Sequence, residues 1–270
     1  MICVGGLHGN EPAGVYALER VLAALESRSS ALTGEFVALA GNSAALAKKC
    51  RFVDRDLNRA WTDERLARLR AEDSLGLESE DHEQLELLST LDQVVTDARG
   101  TVYVLDLHTT SGLGGTFSTF GDSLPNRGFA EHIPVPMVFG LEELVEGALL
   151  AFLGEHGLVA IAVESGQHDE ALSVDRAEAA IWIAIRSAGL LAPADVPEAG
   201  VGQAFLRAET AGLPHAVEMR FRYDVDPDTQ FAMKPGYKNF LSVKQGETIA
   251  SDRHGDIVVS EDSRLLMPLY

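Results

Sequence analysis

Gly5-Gly6-Leu7-His8-Gly9-Asn10-Glu11-Pro12 stands between a short apolar run, residues 2–4, and a segment whose apolar residues recur at helical spacing. The run reads as a buried strand, the glycine pair as a tight turn, and Pro12 as a residue at home in a first helical turn. A strand, a loop and a helix in succession make the opening unit of an α/β sheet. The unit presents two metal-competent side chains, His8 and Glu11, at the carboxyl end of a strand, where open α/β sheets place their ligands. Taken alone, this pair fits an ordinary surface or capping contact just as well, so its meaning depends on its partners elsewhere in the chain.

Moving outward, Val15, Leu18, Val21, Leu22 and Leu25 predict a helix packed on a sheet, with Glu19, Arg20 and Glu26 on its other face. Residues 36–40 form a continuous apolar run, as expected of a strand covered on both faces. Gly41-Asn42-Ser43 ends it, and a short alanine-rich helix follows. The run Arg51-Phe52-Val53-Asp54-Arg55-Asp56-Leu57-Asn58-Arg59 interleaves charge with apolar residues, which fits a structured loop; a surface salt-bridge cluster fits it equally. Thr62 with Asp63 and Glu64 reads as a helix N-cap and an acidic first turn. The acidic stretch 72–83, which holds Gly76, reads as a solvated loop with His82 on the surface. Helical spacing resumes from Leu85 to Val95.

The strand expected over 101–107 runs into Asp106-Leu107-His108. A period of two puts Asp106 and His108 on one side, so the carboxylate can orient the imidazole. A buried histidine satisfied by its neighbour is the plainer alternative. Further strands are expected at 116–120, 135–139 and 158–163, with a helix over 141–156 between the last two. The apolar run 158–163 leads straight into Glu164, and a carboxylate at the end of a buried strand is costly without a partner or a task. A capped structural carboxylate is the alternative there. A helix over 171–188 closes this half. Residues 191–202, with two prolines and two glycines, read as a linker. Beyond them strict alternation at 217–223 and short runs at 239–243 and 257–260, separated by Pro-Gly, Gln-Gly and His-Gly turns, predict a small β-rich domain over 203–270. The last residues, 266–270, read as a strand, as in a domain cut short at its C-terminus.

With 270 residues, 46% of them hydrophobic, the chain can bury a full core. A net charge of −19 argues against nucleic acid, whose binding draws on Lys and Arg at phosphates, and against an acidic membrane surface. Cys3 and Cys50 make no disulfide framework, and no leader-like or membrane-spanning run is visible, so the expectation is a soluble cytoplasmic protein. The oligomeric state is not legible.

His8, Glu11, His108 and Glu164 therefore all stand at strand ends. Two histidines and one carboxylate match the ligand set of a catalytic zinc site with an open fourth position, and a second carboxylate can serve as general base. At this point the chain resembles the aspartoacylase and succinylglutamate desuccinylase family of the zinc carboxypeptidase superfamily. The resemblance rests on residues 5–14, on Gly41-Asn42 with Ala44 and Ala45, on Arg51 with Asp56-Leu57-Asn58-Arg59, on Asp106-Leu107-His108-Thr109, and on Glu164 with Gly166. It implies a mixed, mostly parallel sheet flanked by helices over residues 1–190, a zinc carboxypeptidase-like fold, followed by the β-rich domain.

By that resemblance, one Zn2+ per chain is held by His8, Glu11 and His108, with Asp106 and Asp56 as supporting carboxylates. Glu164 is the base that activates water, Arg51 polarises the scissile carbonyl, and Asn58 with Arg59 grips a substrate carboxylate. The implied activity is hydrolysis of the amide bond of an N-acyl amino acid or similar small carboxylate. A carboxypeptidase acting on short peptides and a metal-binding sensor without turnover are the alternatives. Two departures qualify the resemblance. Family members that cleave acyl-aspartate carry a basic residue shortly before the catalytic glutamate, and this chain has no Lys or Arg between Arg127 and Arg176. The family also brings a tyrosine from the C-terminal domain, for which Tyr237 and Tyr270 are the candidates.

Overall fold

The computed structural model describes residues 1–71, 76–225 and 227–269. In chain order the first part comprises β1 (Ile2–Gly5), α1 (Ala13–Glu26), β2 (Val37–Ala40), α2 (Ser43–Lys48), a 3-10 turn at Leu57–Arg59, α3 (Asp63–Ala71) and α4 (Ser79–Asp97). There follow β3 (Tyr103–Thr110), β4 (Phe117–Thr119), α5 (Leu124–Ala130), β5 (Met137–Phe139), α6 (Leu149–Glu155), β6 (Val159–Gln167), α7 (Leu172–Ser187), α8 (Pro197–Glu209) and β7 (Ala216–Glu218). Among the described residues these strands form one sheet in the order β2-β1-β3-β6-β4-β5-β7. The first four run parallel, β4 is antiparallel to β6, and β5 and β7 run parallel to β4. The expected mixed, mostly parallel sheet flanked by helices is thus present.

Period-two alternation explains both faces. Cys3, Leu105, Leu107, Ile161 and Val163 point to one side, where they pack with α1 residues Ala17, Leu18 and Val21 and α7 residues Ile181, Ala184 and Ile185. Ile2, Val4, Val104, Ala160 and Ala162 point to the other, against Leu87, Leu88 and Leu91 of α4 and Leu149, Leu150 and Phe152 of α6. On this second face the apolar series stops at the carboxyl ends of the strands. There Asp106, His108 and Glu164 take the next inward positions, and the site lies over them.

Several sequence expectations require correction. Strand β2 has apolar cover on both faces, Ala38 against one core and Val37 and Leu39 against the other, but it is only half-buried because it is the edge of the sheet and pairs with β1 alone. Leu22 points to solvent on α1. The acidic stretch 72–83 is not a solvated loop throughout: residues 72–75 lie outside the described residues, but α4 starts at Ser79 and buries Glu80 and Asp81. His82 is on the surface as expected. The helix expected over 141–156 is broken. A 3-10 turn at Glu142–Leu144 is separated from α6 by Gly147, whose φ of +69° is left-handed and whose missing side chain lets the backbone carbonyl of Arg59 approach.

Residues 191–202 are no linker. They supply a 3-10 turn, Pro193–Asp195, and the first half of α8, in which Pro197 occupies the first helical turn. Gly202 lies against Ala179 of α7, and a Cβ there would sit 3.1 Å from its Cα, so a glycine that reads as a linker residue is a helix-packing residue. The α/β layer accordingly continues to β7, which pairs with β5, and residues 219–225 form no strand.

The β-rich part holds β8 (Ala232–Met233), β9 (Ser242–Val243), β10 (Thr248–Asp252), β11 (Gly255–Val258) and β12 (Ser263–Arg264). They form a sheet β11-β10-β8 and a pair β12-β9, both antiparallel. Residues 266–269, read as a strand, form none, and Tyr270 lies outside the described residues. Phe240 of this part packs against Phe117 and Val138 of the main sheet. Among the described residues no helix is long and apolar enough to cross a membrane.

Candidate active site

The loop after β1 carries His8 and Glu11 into a cleft of about 380 Å3. Its shape is fixed by close backbone approach. A Cβ on Gly9 would lie 2.1 Å from the carbonyl carbon of Ala45 in α2, so only glycine lets the loop lie against that helix. The amide of Gly9 donates to the carbonyl of Arg51 at 3.1 Å, which ties this loop to the second one. His108 reaches the same point from β3, and the sheet register sets it directly beside Glu164 of β6.

His8 Nδ1 lies 2.8 Å from Glu11 Oε1, and His108 Nδ1 lies 3.0 Å from Glu11 Oε2. All three side chains are buried, and their potential donor atoms fall within 4.8 Å of one another. The far nitrogen of each ring faces another carboxylate: His8 Nε2 is 3.2 Å from Asp56 Oδ1, and His108 Nε2 is 2.9 Å from Asp106 Oδ2. A proton held on Nε2 by Asp56 or Asp106 leaves the Nδ1 lone pair free, which is how ligating histidines are oriented.

Electrostatics point the same way. Burial penalises charge on His108, yet Asp106 and Glu11 outweigh it and hold the imidazole well above its usual pKa. Burial also penalises charge on Glu11, but its bonds to His108 and His8 keep that carboxyl well below the ordinary range. Asp56 is likewise held low, because His8 and Arg51 overcome its desolvation. Three buried or half-buried carboxylates thus favour positive charge at one point, and two imidazoles plus one carboxylate are a donor set suited to zinc. The residues present therefore fit such an ion.

Glu164 stands apart from these pairs. It is 8% exposed, and its Oε2 is buried without a hydrogen-bond partner among the described residues. Burial pushes its carboxyl up to about 8, with further repulsion from Glu11, Asp106 and Glu142. An orphaned buried oxygen is rare in folded proteins and calls for a functional account.

The expected substrate-side residues also converge on the cleft. Arg51 donates through Nε and Nη2 to Asp56 Oδ2 at 3.0 and 2.8 Å, while its Nη1 stands 3.8 Å from Glu11 Oε1. Asn58 accepts the amide of Leu149 at 2.9 Å, so it caps the start of α6 and leaves its own amide nitrogen for the cleft. Arg59 lines the cleft too. The loop that carries these residues hangs on Glu80 of α4, fully buried, which accepts the backbone amides of Val53, Asp54 and Arg55 and the side-chain amide of Asn42.

His8, Glu11, Arg51, Asn58, Arg59, Asp106, His108 and Glu164 therefore line one cleft, with Asp56 bound to His8 and Arg51, and several unexpected residues join them. Thr119, Glu142 and His168 line it, with His168 Nδ1 2.7 Å from Thr109 Oγ1. Only His168 had a local signal, its position just past Glu164 on the same strand end. Among the described residues, Met267 and Leu269 come from the C-terminal part; the candidate Tyr270 lies outside the described residues. Tyr237 is instead engaged with Glu247 Oε1 at 2.7 Å and is not among the residues lining the cleft.

Comparison with known proteins agrees with this geometry. A relative from Xenopus tropicalis, an N-acyl-aromatic-L-amino acid amidohydrolase (carboxylate-forming), is 33% identical over 136 residues, covering 49% of this chain and 40% of that protein. One of the same description from Xenopus laevis is 24% identical over 286 aligned positions, covering 100% of this chain and 88% of the relative. The crystal structure of a succinylglutamate desuccinylase/aspartoacylase from Rhodobacter sphaeroides superposes with a TM-score of 0.67 at 17% identity, covering 97% of this chain and 78% of that one. The family model of the succinylglutamate desuccinylase/aspartoacylase catalytic domain matches residues 1–170, the span from β1 to just past β6 that carries His8, Glu11, His108 and Glu164. On that match the chain belongs to the succinylglutamate desuccinylase/aspartoacylase family.

Proposed function

We propose that the protein is a zinc-dependent amidohydrolase that removes the acyl group from an N-acyl amino acid or similar small carboxylate. The observation that carries this reading is the unpartnered Oε2 of buried Glu164, set beside His108 in the sheet register and across from the His8–Glu11–His108 cluster. A binding protein has no use for a buried, repelled carboxylate at that point; a hydrolase needs a base there. The relatives' described activity, amide hydrolysis on N-acyl-aromatic amino acids, supports the same class of reaction.

His8, Glu11 and His108 would hold one zinc ion, with Asp56 and Asp106 fixing the two rings. When bound, zinc supplies a Lewis acid that polarises the amide carbonyl and lowers the pKa of water to about 7. Glu164 Oε2 takes the proton of the attacking water and returns it to the departing amine. The unpartnered Oε2, beside His108, is the atom placed for both duties. Arg51, steadied by Asp56, donates to the carbonyl oxygen as negative charge gathers on it, a contribution of roughly 3 kcal/mol for one well-placed donor. Arg59 and the amide of Asn58 grip the substrate carboxylate, for which a planar guanidinium is suited. Leu141, Val145, Met267 and Leu269 offer apolar wall to the rest of the substrate.

The test is a pair of variants assayed against a panel of N-acyl amino acids and short peptides. Glu164→Gln is expected to retain about one zinc per chain by elemental analysis while hydrolysis falls at least ~1,000-fold. His8→Ala is expected to lose the metal. Normal turnover by Glu164→Gln, or full metal content in His8→Ala, would overturn the assignment. Preference for peptides over acyl amino acids would transfer the site to a carboxypeptidase.

A further inference from the structure

Glu142 lies in the 3-10 turn Glu142–Leu144 and lines the cleft. Its recorded hydrogen bond is with Thr119, whose Oγ1 donates to Oε1 at 3.2 Å. Among the described residues no basic side chain forms an ion pair with it. The cleft it lines combines the apolar Leu141, Val145, Ala162, Met267 and Leu269 with the charged groups around His108 and Arg59. Of the two cations that act on it, His108 is engaged with Asp106 and Glu11, and Arg59 has its Nη1 turned to the carbonyl of Asn58. Burial pushes the Glu142 carboxyl up to about 7.

The proposed mechanism leaves Glu142 unused. It is not a ligand of the His8–Glu11–His108 cluster, and the base position belongs to Glu164. Glu142 is half-buried at the cleft wall with Thr119 as its recorded hydrogen-bond partner, so its carboxylate is available to a further donor. The free face of Glu142 opens to the space the substrate occupies, so the missing partner arrives with the substrate. We infer that Glu142 is a specificity-determining residue: it receives a hydrogen-bond donor, most strongly an ammonium group, carried by the substrate, and it repels a substrate carboxylate at that place. The inference rests on the amidohydrolase reading for the identity of the substrate, and it specifies the part of the molecule that reading leaves open. Sites built to satisfy a polar group discriminate far more sharply than apolar pockets do, because the unfilled site keeps a buried group unpaired.

Three substrate pairs test it, each differing only by a donor: Nα-acetylornithine with Nα-acetylnorvaline, Nα-acetyltyrosine with Nα-acetylphenylalanine, and glycylleucine with acetylleucine. The first two place the donor on the amino-acid half and the third on the acyl half. With zinc-loaded wild type, at least one donor-bearing member is expected to exceed its partner by ~10-fold or more in kcat/KM, with Nα-acetylaspartate turned over more slowly than either. In Glu142→Leu that preference collapses to about twofold while the non-donor member changes less than about threefold. Glu142→Gln, which keeps an accepting oxygen without charge, is expected to lose preference for ammonium before preference for the phenol. Absence of discrimination in every wild-type pair, its survival in Glu142→Leu, or an equal fall of both members would overturn the inference. Should none of the compounds be hydrolysed, the amidohydrolase reading fails. Calorimetric binding of ornithine against norvaline and of tyrosine against phenylalanine, to wild type and Glu142→Leu, still decides the role of Glu142.

Discussion

Glu164 shows at the scale of one residue how function and stability oppose each other. Its carboxyl has an ordinary pKa of 4.5 when exposed and is pushed up to about 8 by burial in the folded protein. A carboxyl raised on folding binds its proton more tightly in the native state, so its contribution is fully present below about pH 4.5 and is lost as pH rises towards 8. Glu164→Gln removes that loss. Metal-free Glu164→Gln is therefore expected to melt higher than metal-free wild type at pH 8, by a margin on the order of 2 kcal/mol, and to match it near pH 5. Scanning calorimetry across pH 5–8 checks this; a variant less stable at both ends would show that the carboxylate is satisfied in a way the orphaned Oε2 does not reveal. Asp56 and Glu11 have the opposite sign, since both are held low and lend stability that is lost in acid.

At the scale of elements, the active-site loop 51–59 is held from behind by the start of α4. Glu80 gathers three consecutive backbone amides of that loop and the Asn42 side chain, and its partners keep it ionised despite burial. Glu80→Ala leaves those donors unpaired, at a cost of roughly 3 kcal/mol. It is also expected to lower kcat/KM by at least ~10-fold, because Arg51, Asn58 and Arg59 lose their register to the zinc ligands. Denaturant unfolding and steady-state kinetics on the same preparation measure both effects, and unchanged kinetics in a destabilised variant would mean the loop is positioned by Arg51 and Asp56 alone. This anchor was hidden in the sequence. An acidic stretch with a glycine looks solvated, and nothing local tells which of its carboxylates will turn inward.

At the scale of the whole molecule, the β-rich part brings Met267 and Leu269 to the cleft, and the buried Asn239 ties their segment to β3. Asn239, 3% exposed, has its amide nitrogen 3.4 Å from Thr110 Oγ1 on β3, and its Oδ1 accepts the amide of Met267 at 2.6 Å. Asn239→Ala is expected to raise KM severalfold with zinc content unchanged, because it frees the segment carrying Met267 and Leu269 without touching the metal ligands. Loss of zinc in this variant would instead mean that Asn239 acts through β3 on His108. The sequence by itself determined the strand-loop-helix unit around His8 and Glu11, the Asp106–His108 alternation and the strand that leads into Glu164, which runs on to Gln167. Those signals depend only on backbone periodicity and on the cost of burying charge. It also led to the family through motifs in the right order. It misplaced the linker and the helix over 141–156. Proline and glycine look alike in sequence whether they end a helix, begin one or permit close packing, and only the neighbour across the fold distinguishes these uses, as Ala179 does for Gly202 and Arg59 for Gly147. Tertiary structure alone decided that Glu142, Glu80 and Asn239 turn inward, because burial of a polar side chain follows from which partners other elements bring to it and not from its own position in the chain.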